Sequence, residues 1–418
     1  MFIRNLTPRL LRAIEDSPVV FLNGARQVGK STLAQSIVRK KGGRYLTLDD
    51  LDVLSAANSD PKGFLSGLQG LTVIDEVQKA PALFPAIKVL VDKDRRPARF
   101  LLTGSANVLT LPKISESLAG RMQLVNLHTL SQGEIGGMTE GFVKAAFADE
   151  IPEGRDTPAE TTTLNRRVLN GGYPELLGPG RTPRRPAWFS SYITTILQRD
   201  VRDIADIAGL SEMPRLLALL AARSTALINR SDIARDLGWP RSTVDRYLGL
   251  LEMIFLFDLL PAWSGNLGKK LTRSPKVIFR DTGLASHLVG SDPNHPPSDH
   301  LFGRLLENFV VMELQRQATW FEEDIQLFHF RTHGGSEVDI LLEDRRGRVV
   351  AIEVKSTSSP TATMFRHMKR LAEDLGDRFH RGILLSRSEN RLAFGPNLVT
   401  LPLNSLWTLG SQPQDESG

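Results

Sequence analysis

One segment constrains this chain more than any other: Gly24-Ala25-Arg26-Gln27-Val28-Gly29-Lys30-Ser31, which follows the apolar run PVVFLN and opens the helical run from Thr32 to Arg39. The pattern GxxxxGK[ST] between a strand and a helix belongs to a parallel α/β sheet, where a buried strand delivers the loop to one sheet edge. Gly24 and Gly29 let the backbone wrap phosphate oxygens with its N–H groups, and the following helix turns its positive end toward them. Lys30 is placed to neutralise the outer phosphates of ATP, and Ser31 offers a hydroxyl to a magnesium ion. Gly24, Ala25, Arg26, Gln27, Val28, Gly29, Lys30, Ser31 and Thr32 are therefore the candidate nucleotide-binding segment. A chance glycine-rich turn would lack the flanking strand and helix.

Residues 1–140 repeat the same alternation. The short apolar runs PVVFLN, RYLTLDD, GLTVID, RFLLTG and RMQLVNL are separated by helix-length segments, as in a parallel α/β domain. The third run ends in Asp75-Glu76 and brings two carboxylates to the edge that carries the phosphate loop. Asp75 suits the hydrated magnesium, and Glu76 suits the orientation and deprotonation of an attacking water. The fourth run ends in Thr103-Gly104-Ser105-Ala106-Asn107, so Thr103, Ser105 and Asn107 are candidates to sense the γ-phosphate. An ordinary Thr/Ser turn after a strand explains the same residues equally well.

Composition narrows the chemistry around this core. With no cysteine, disulfides, thiolate metal sites and thiol nucleophiles are excluded. The eight histidines are scattered without ligand spacing, so no zinc site is expected. A formal charge of +5 permits a polyanion such as DNA without demanding one. No window approaches ~20 uncharged apolar residues, so a membrane span is not expected and a cytoplasmic location is. The polar stretch EGRDTPAETTT and the linker DPNHPPSDH divide the chain into a core over 1–140, a helical lid over 141–207, a third module over 208–291 and a last one over 300–410. The terminal SQPQDESG has the composition of a disordered tail.

The third module has a helix-turn-helix pattern. Ser231 is positioned as an N-cap, Ile233, Ala234 and Leu237 share one face, Gly238 makes the turn, and Val244, Leu248 and Leu251 line a second helix. The apolar run FLFDLLPAW suits the strand of a wing. Arg241, Ser242, Thr243 and Arg246 fall on the outer face of the second helix and are the candidate DNA contacts. A winged helix used only for protein contacts fits the pattern as well.

In the last module a long helix over residues 301–319 presents Glu307. A strand over 337–342 carries Asp339, and a strand over 349–355 carries Glu353 and Lys355 on one face, with Ile352 and Val354 on the other. Asp339 and Glu353, with Glu307 beside them, are candidate magnesium ligands, and Lys355 is placed to activate a water toward a phosphodiester. The order helix-Glu, strand-Asp, strand-Glu-x-Lys, helix, strand resembles the PD-(D/E)xK nuclease fold.

GARQVGKST, LTVIDEVQKAP, RFLLTGSAN, SLAGR, NGGYPELL, LQRDV, SPKVIFRDTGLASHLVG and VDILL…AIEVKS together resemble bacterial and archaeal ATP-binding proteins with an AAA+ domain followed by a DUF4143 domain. Residues 208–410 correspond to the DUF4143 part of that likeness. The resemblance implies an α/β fold: a P-loop AAA+ parallel-sheet domain with a helical lid, a winged helix-turn-helix and a C-terminal PD-(D/E)xK nuclease-like α/β domain. It implies that Arg121 reaches a neighbouring subunit's nucleotide in a homo-oligomeric ring, a hexamer being one size. Gly171 to Glu175 is similar to the GxP turn of STAND-like ATPases, which makes Pro174 a candidate beside adenine. Three functional readings follow. The first is an ATP- and magnesium-dependent, DNA-associated ATPase controlling a nuclease-like domain. The second is a switch whose C-terminal fold only binds nucleic acid or protein. The third is a threading motor, against which the lack of an aromatic pore loop counts.

Overall fold

The computed structural model describes residues 2–105, 118, 120–152, 161–178, 184–202, 209–265, 274–332 and 334–414. Strands β1 (Val19–Asn23), β2 (Arg44–Thr47), β3 (Thr72–Asp75), β4 (Phe100–Gly104) and β5 (Met122–Asn126) form one sheet in the order β2-β3-β4-β1-β5, every pairing parallel. Every residue of β1, β3 and β4 is buried, as parallel strands covered on both faces must be. Leu10 and Ile14 of the helix Thr7–Asp16 and Leu33 and Ile37 of the helix Lys30–Lys41 pack into one layer, while Phe84, Ile87 and Val91 of the helix Leu83–Lys93 pack into the other. Because β1 lies between β4 and β5, the loops after β1, β3 and β4 leave the same edge side by side.

A two-residue strand, β6 (Met138–Thr139), follows the helix Gln132–Gly136. Farther along, the helices Arg230–Leu237 and Arg241–Met253 stand before an antiparallel hairpin of β7 (Phe257–Leu260) and β8 (Lys276–Phe279). The cap of the first helix lies two residues earlier than the sequence suggests. Asn229, not Ser231, accepts from the N–H groups of Ser231 and Asp232 at 3.1 and 3.2 Å, because the carboxamide reaches the second and third N–H from that position.

The C-terminal sheet contains β9 (Gln326–Arg331), β10 (Glu337–Glu343), β11 (Val349–Lys355), β12 (Phe379–Ser386), β13 (Leu392–Gly395) and β14 (Leu398–Pro402), in the order β13-β14-β12-β11-β10-β9. The helix Asp299–Trp320 packs on one face, and Phe365, Met368 and Leu371 at the start and along the helix Arg366–Leu375 pack on the other. Both faces of β11 are therefore covered, and Glu353 is only 7% exposed rather than on an open polar face. The alternation itself holds, with Ile352 and Val354 toward the helix Asp299–Trp320, and a second helix covers the side that carries Val349, Ala351 and Glu353. A strand β15 (Gln412–Pro413) pairs antiparallel with β6, so this part of the expected disordered tail is ordered; residues 415–418 lie outside the described residues.

The helix Asp299–Trp320 ties the modules together. Glu313 accepts from the N–H of Gln132 at 3.0 Å and from Arg316 at 2.5 Å, and Arg316 donates to Thr129 at 2.6 Å, all within the buried interior. Among the described residues no helix is long and apolar enough to cross a membrane.

Candidate nucleotide site and the C-terminal acidic cluster

The phosphate loop has the backbone its sequence requires. Gly29, the residue before the helix Lys30–Lys41, has φ +98°, a left-handed conformation that favours glycine, and a Cβ on Gly24 would stand 2.2 Å from the carbonyl oxygen of Leu127. Lys30 is buried and donates from Nζ to the carbonyls of Gly24 and Ala25 at 2.9 and 2.7 Å. Burial pulls its ammonium down to about 8, against the opposing pull of Glu76 and Asp75. A triphosphate would supply the anionic partner that the two carbonyls only approximate.

Asp75, at the end of β3, is 3% exposed. Its Oδ2 accepts from the Tyr45 hydroxyl at 2.6 Å, and its Oδ1 accepts from the Thr103 hydroxyl. Burial, with the bond to Asp75 next, pushes the Tyr45 phenol up to about 12, so it stays a donor. The N–H of Glu76 donates to Thr103 Oγ1 at 3.2 Å, which makes Thr103 a brace for both acids. Glu76 itself sits at φ +56°, a strained conformation for a residue with a side chain. Its carboxylate accepts from Gln78 Nε2 and, at 3.3 Å, from the Ser105 hydroxyl, while Gln78 also reaches Ser105 at 3.2 Å. Asn107 lies outside the described residues.

The donor set fits magnesium. Ser31 and Asp75 are hard oxygen groups, and magnesium takes one or two such protein ligands, keeping waters and phosphate for the rest. Thr32 is exposed at the start of the helix and Gln27 is exposed within the loop, whereas Ala25 and Val28 are buried beneath it.

Arg4, Asp200, Tyr192 and Tyr173 were not among the candidates read from the sequence. Arg4 is buried and donates to the carbonyls of Val28 at 2.8 Å and His128 at 2.7 Å, holding the loop from below. Asp200, of the LQRDV segment, pairs with Arg26 at 2.9 Å, and Tyr192 donates to the Arg26 carbonyl at 3.2 Å. Tyr173 then donates to Tyr192 at 2.8 Å, so the turn containing Pro174 is linked through two tyrosines to the phosphate loop. Pro174 lines a cavity of about 630 Å³ together with Gly29 and Thr32. Arg121 is held by its own chain: it pairs with both carboxylate oxygens of Asp92, at 2.5 and 3.0 Å.

On the helix Arg241–Met253, Arg241, Ser242 and Arg246 are exposed and Thr243 is half-buried. Asp245 interrupts this basic face, pairing with Arg230 at 2.9 Å and Arg241 at 3.8 Å.

The C-terminal carboxylates do gather. Asp339 Oδ2 accepts from the N–H of Val354 at 2.9 Å and lies 4.0 Å from Lys355, whose Nζ bonds Glu353 at 2.6 Å. Burial, then the neighbouring Asp339, pushes Glu353 up to about 7, and its Oε2 is buried without a partner among the described residues. Glu307, however, is taken up by Lys276, a residue of β8 that sequence reasoning passed over. Lys276 is 2% exposed and pairs with Glu307 at 2.9 Å and Glu337 at 3.1 Å. Burial pulls its ammonium down, but Glu307, Asp339 and Glu337 outweigh that and hold it charged. Among the described residues no group of three or more acids or histidines is arranged to hold a metal ion. Lys276 thus brings an ammonium to Glu307 and Glu337, while Asp339 and Glu353 stay together beside Lys355.

Three family models match the chain, one of them across the expected boundary at 207/208. The family model described as an AAA domain matches residues 16–136, a domain of unknown function (DUF8612) matches 161–295, and a second (DUF4143) matches 302–406. An uncharacterized protein of Mycobacterium tuberculosis, Rv2008c, is 33% identical over 410 residues, covering 98% of this chain and 85% of the relative; its Mycobacterium bovis counterpart, Mb2031c, matches equally. Among solved structures, the Walker-type ATPase PABY2304 of Pyrococcus abyssi aligns over 69% of this chain and 96% of its own, at 16% identity and a TM-score of 0.41. With its ATPase-like AAA domain ahead of a DUF4143 match, and a mycobacterial relative alike over almost its whole length, this chain belongs to the family of AAA-domain proteins that carry a C-terminal DUF4143 domain.

Proposed function

We propose that this chain hydrolyses ATP with magnesium at the edge of the parallel sheet and uses the nucleotide state as a switch for its other modules. The observation that carries this reading is the meeting of the buried Lys30 with the braced pair Asp75 and Glu76 at neighbouring strand ends. Lys30 and the loop N–H groups hold the phosphates, Ser31 and Asp75 hold the metal, and Glu76 takes a proton from the attacking water. Gln78 and Ser105 keep Glu76 in position. Magnesium, when bound, offsets the phosphate charge. Phosphate release from ATP by the purified chain should require magnesium and stop with a chelator. Binding of ATP without turnover would leave a switch that does not hydrolyse.

For the C-terminal module we favour binding over cleavage, because Lys276 already supplies a cation to Glu307, one of the three expected metal ligands. The nuclease reading retains one observation in its favour, the unpartnered Oε2 of Glu353 beside Asp339 and Lys355. Plasmid DNA with magnesium or manganese, with and without ATP, should remain uncut. Cleavage that disappears in Lys355→Ala would instead establish a nuclease. For the helix Arg241–Met253 we expect nonspecific DNA contact through Arg241 and Arg246. Replacing both with alanine should weaken DNA binding and flatten its salt dependence by about two counterions. An unchanged salt slope would assign the helix to protein contacts. A ring would require Arg121 to leave Asp92, and a homo-oligomer should then show turnover that rises with protein concentration.

A further inference from the structure

Within the stretch that has the composition of a disordered tail, Gln412, Pro413 and Gln414 line the cavity beside the phosphate loop. We propose that the cavity of about 630 Å³ beside the phosphate loop takes the purine nucleoside of ATP and that Gln412, Pro413 and Gln414 form one of its walls, so that the C-terminal module senses nucleotide directly. This rests on reading Gly24 to Ser31 as the phosphate site. Gly29 and Thr32 line the cavity at the end where the phosphates would lie, Pro174 and Leu11 give it apolar surface, and Gln412 and Gln414 line it from the tail.

The tail is held there by several independent contacts. Gln412 and Pro413 pair with Thr139 and Met138, and the N–H of Gln414 donates to the carbonyl of Gly137 at 3.0 Å. The Gln414 carboxamide donates to Asn5 Oδ1 at 2.6 Å. Upstream, the backbones of Gly141 and Gly410 approach so closely that a Cβ on Gly141 would stand 2.3 Å from the Gly410 oxygen. From Asn5 the contacts run to the phosphate loop: Glu134 accepts from the N–H of Asn5 at 2.8 Å and from Arg4 at 3.1 Å, and Arg4 donates to the carbonyl of Val28 at 2.8 Å. In the other direction, Gln317 of the helix Asp299–Trp320 donates to the carbonyl of Leu406 at 2.6 Å, joining the approach to the tail to the helix that carries Glu307. Tail, phosphate loop and C-terminal helix are thus one hydrogen-bonded unit.

The chemistry fits a base. With the Gln414 amide spent on Asn5, the Gln412 carboxamide is the one offered to a base, and it presents a donor and an acceptor side by side, the pairing that the N6/N7 edge of adenine accepts and the O6/N7 edge of guanine mismatches. The test uses the full chain, a chain ending at Ser411, and the double variant Gln412→Ala/Gln414→Ala, with binding followed by a fluorescent ATP analogue and by competition with ATP, GTP and inorganic tripolyphosphate. Both altered chains should bind ATP about tenfold more weakly, keep their affinity for tripolyphosphate, and lose preference for ATP over GTP. Equal weakening toward ATP and tripolyphosphate would make the tail a support of the fold and overturn the proposal, as would unchanged ATP binding. Lys30→Ala separates the two ideas: if it leaves tripolyphosphate binding intact, the phosphate site itself has been misassigned, whatever the tail does.

Discussion

Glu76→Gln is expected to lower ATP turnover by about 10²- to 10⁴-fold, the range lost when a positioned general base is removed, while ATP binding persists. The amide keeps the shape of the side chain but cannot take a proton. Its setting favours a reacting group over a surface acid. Glu76 occupies a left-handed conformation, φ +56°, of the kind that costs about 1–3 kcal/mol and persists only where the surroundings enforce it. Those surroundings are Thr103 beneath its N–H and Gln78 and Ser105 on its carboxylate. Steady-state phosphate release and equilibrium binding of ATP, measured on the same preparation, check both halves. Turnover near the unaltered rate would move the base role to another group.

The parts of this site that were legible in the sequence are those whose spacing is local. The phosphate loop follows its strand directly, and the two acids follow theirs, so residue order alone predicts that they meet. The braces were not legible, because each crosses a long stretch of chain. Arg4 reaches Val28 only because the N-terminal segment folds beneath the loop, and Asp200 reaches Arg26 only because a helix more than a hundred residues later returns to it. Thr103 stood in the sequence as one of three candidates to sense the γ-phosphate, but a sequence cannot show that its hydroxyl is committed to Asp75. In the C-terminal sheet the strand pattern predicted where Asp339, Glu353 and Lys355 fall. It could not predict that a helix would cover the polar-looking face of β11, nor that a lysine from another module would enter among the acids.

That lysine gives the second large effect. Lys276→Ala is expected to destabilise the chain by about 3–5 kcal/mol, the range found when one partner of a buried ion pair is removed and the other is left uncompensated. The loss exceeds that of a surface pair because Lys276 is 2% exposed and faces two carboxylates at 2.9 and 3.1 Å, with Asp339 close enough to raise its affinity for a proton. With the ammonium gone, Glu307, Glu337 and Asp339 repel one another in a poorly solvated space. Thermal unfolding of the variant should therefore fall sharply, and magnesium or manganese should restore part of the loss by binding the folded form where Nζ stood. The unaltered chain should gain little from either ion, since its site already holds a cation. Equal shifts in both proteins would place the ion elsewhere and make Lys276 a purely structural partner. If the variant, rescued by metal, also cuts DNA while the unaltered chain does not, then β8 closes a nuclease site, and the event that withdraws Lys276 becomes the step through which the ATPase domain could act.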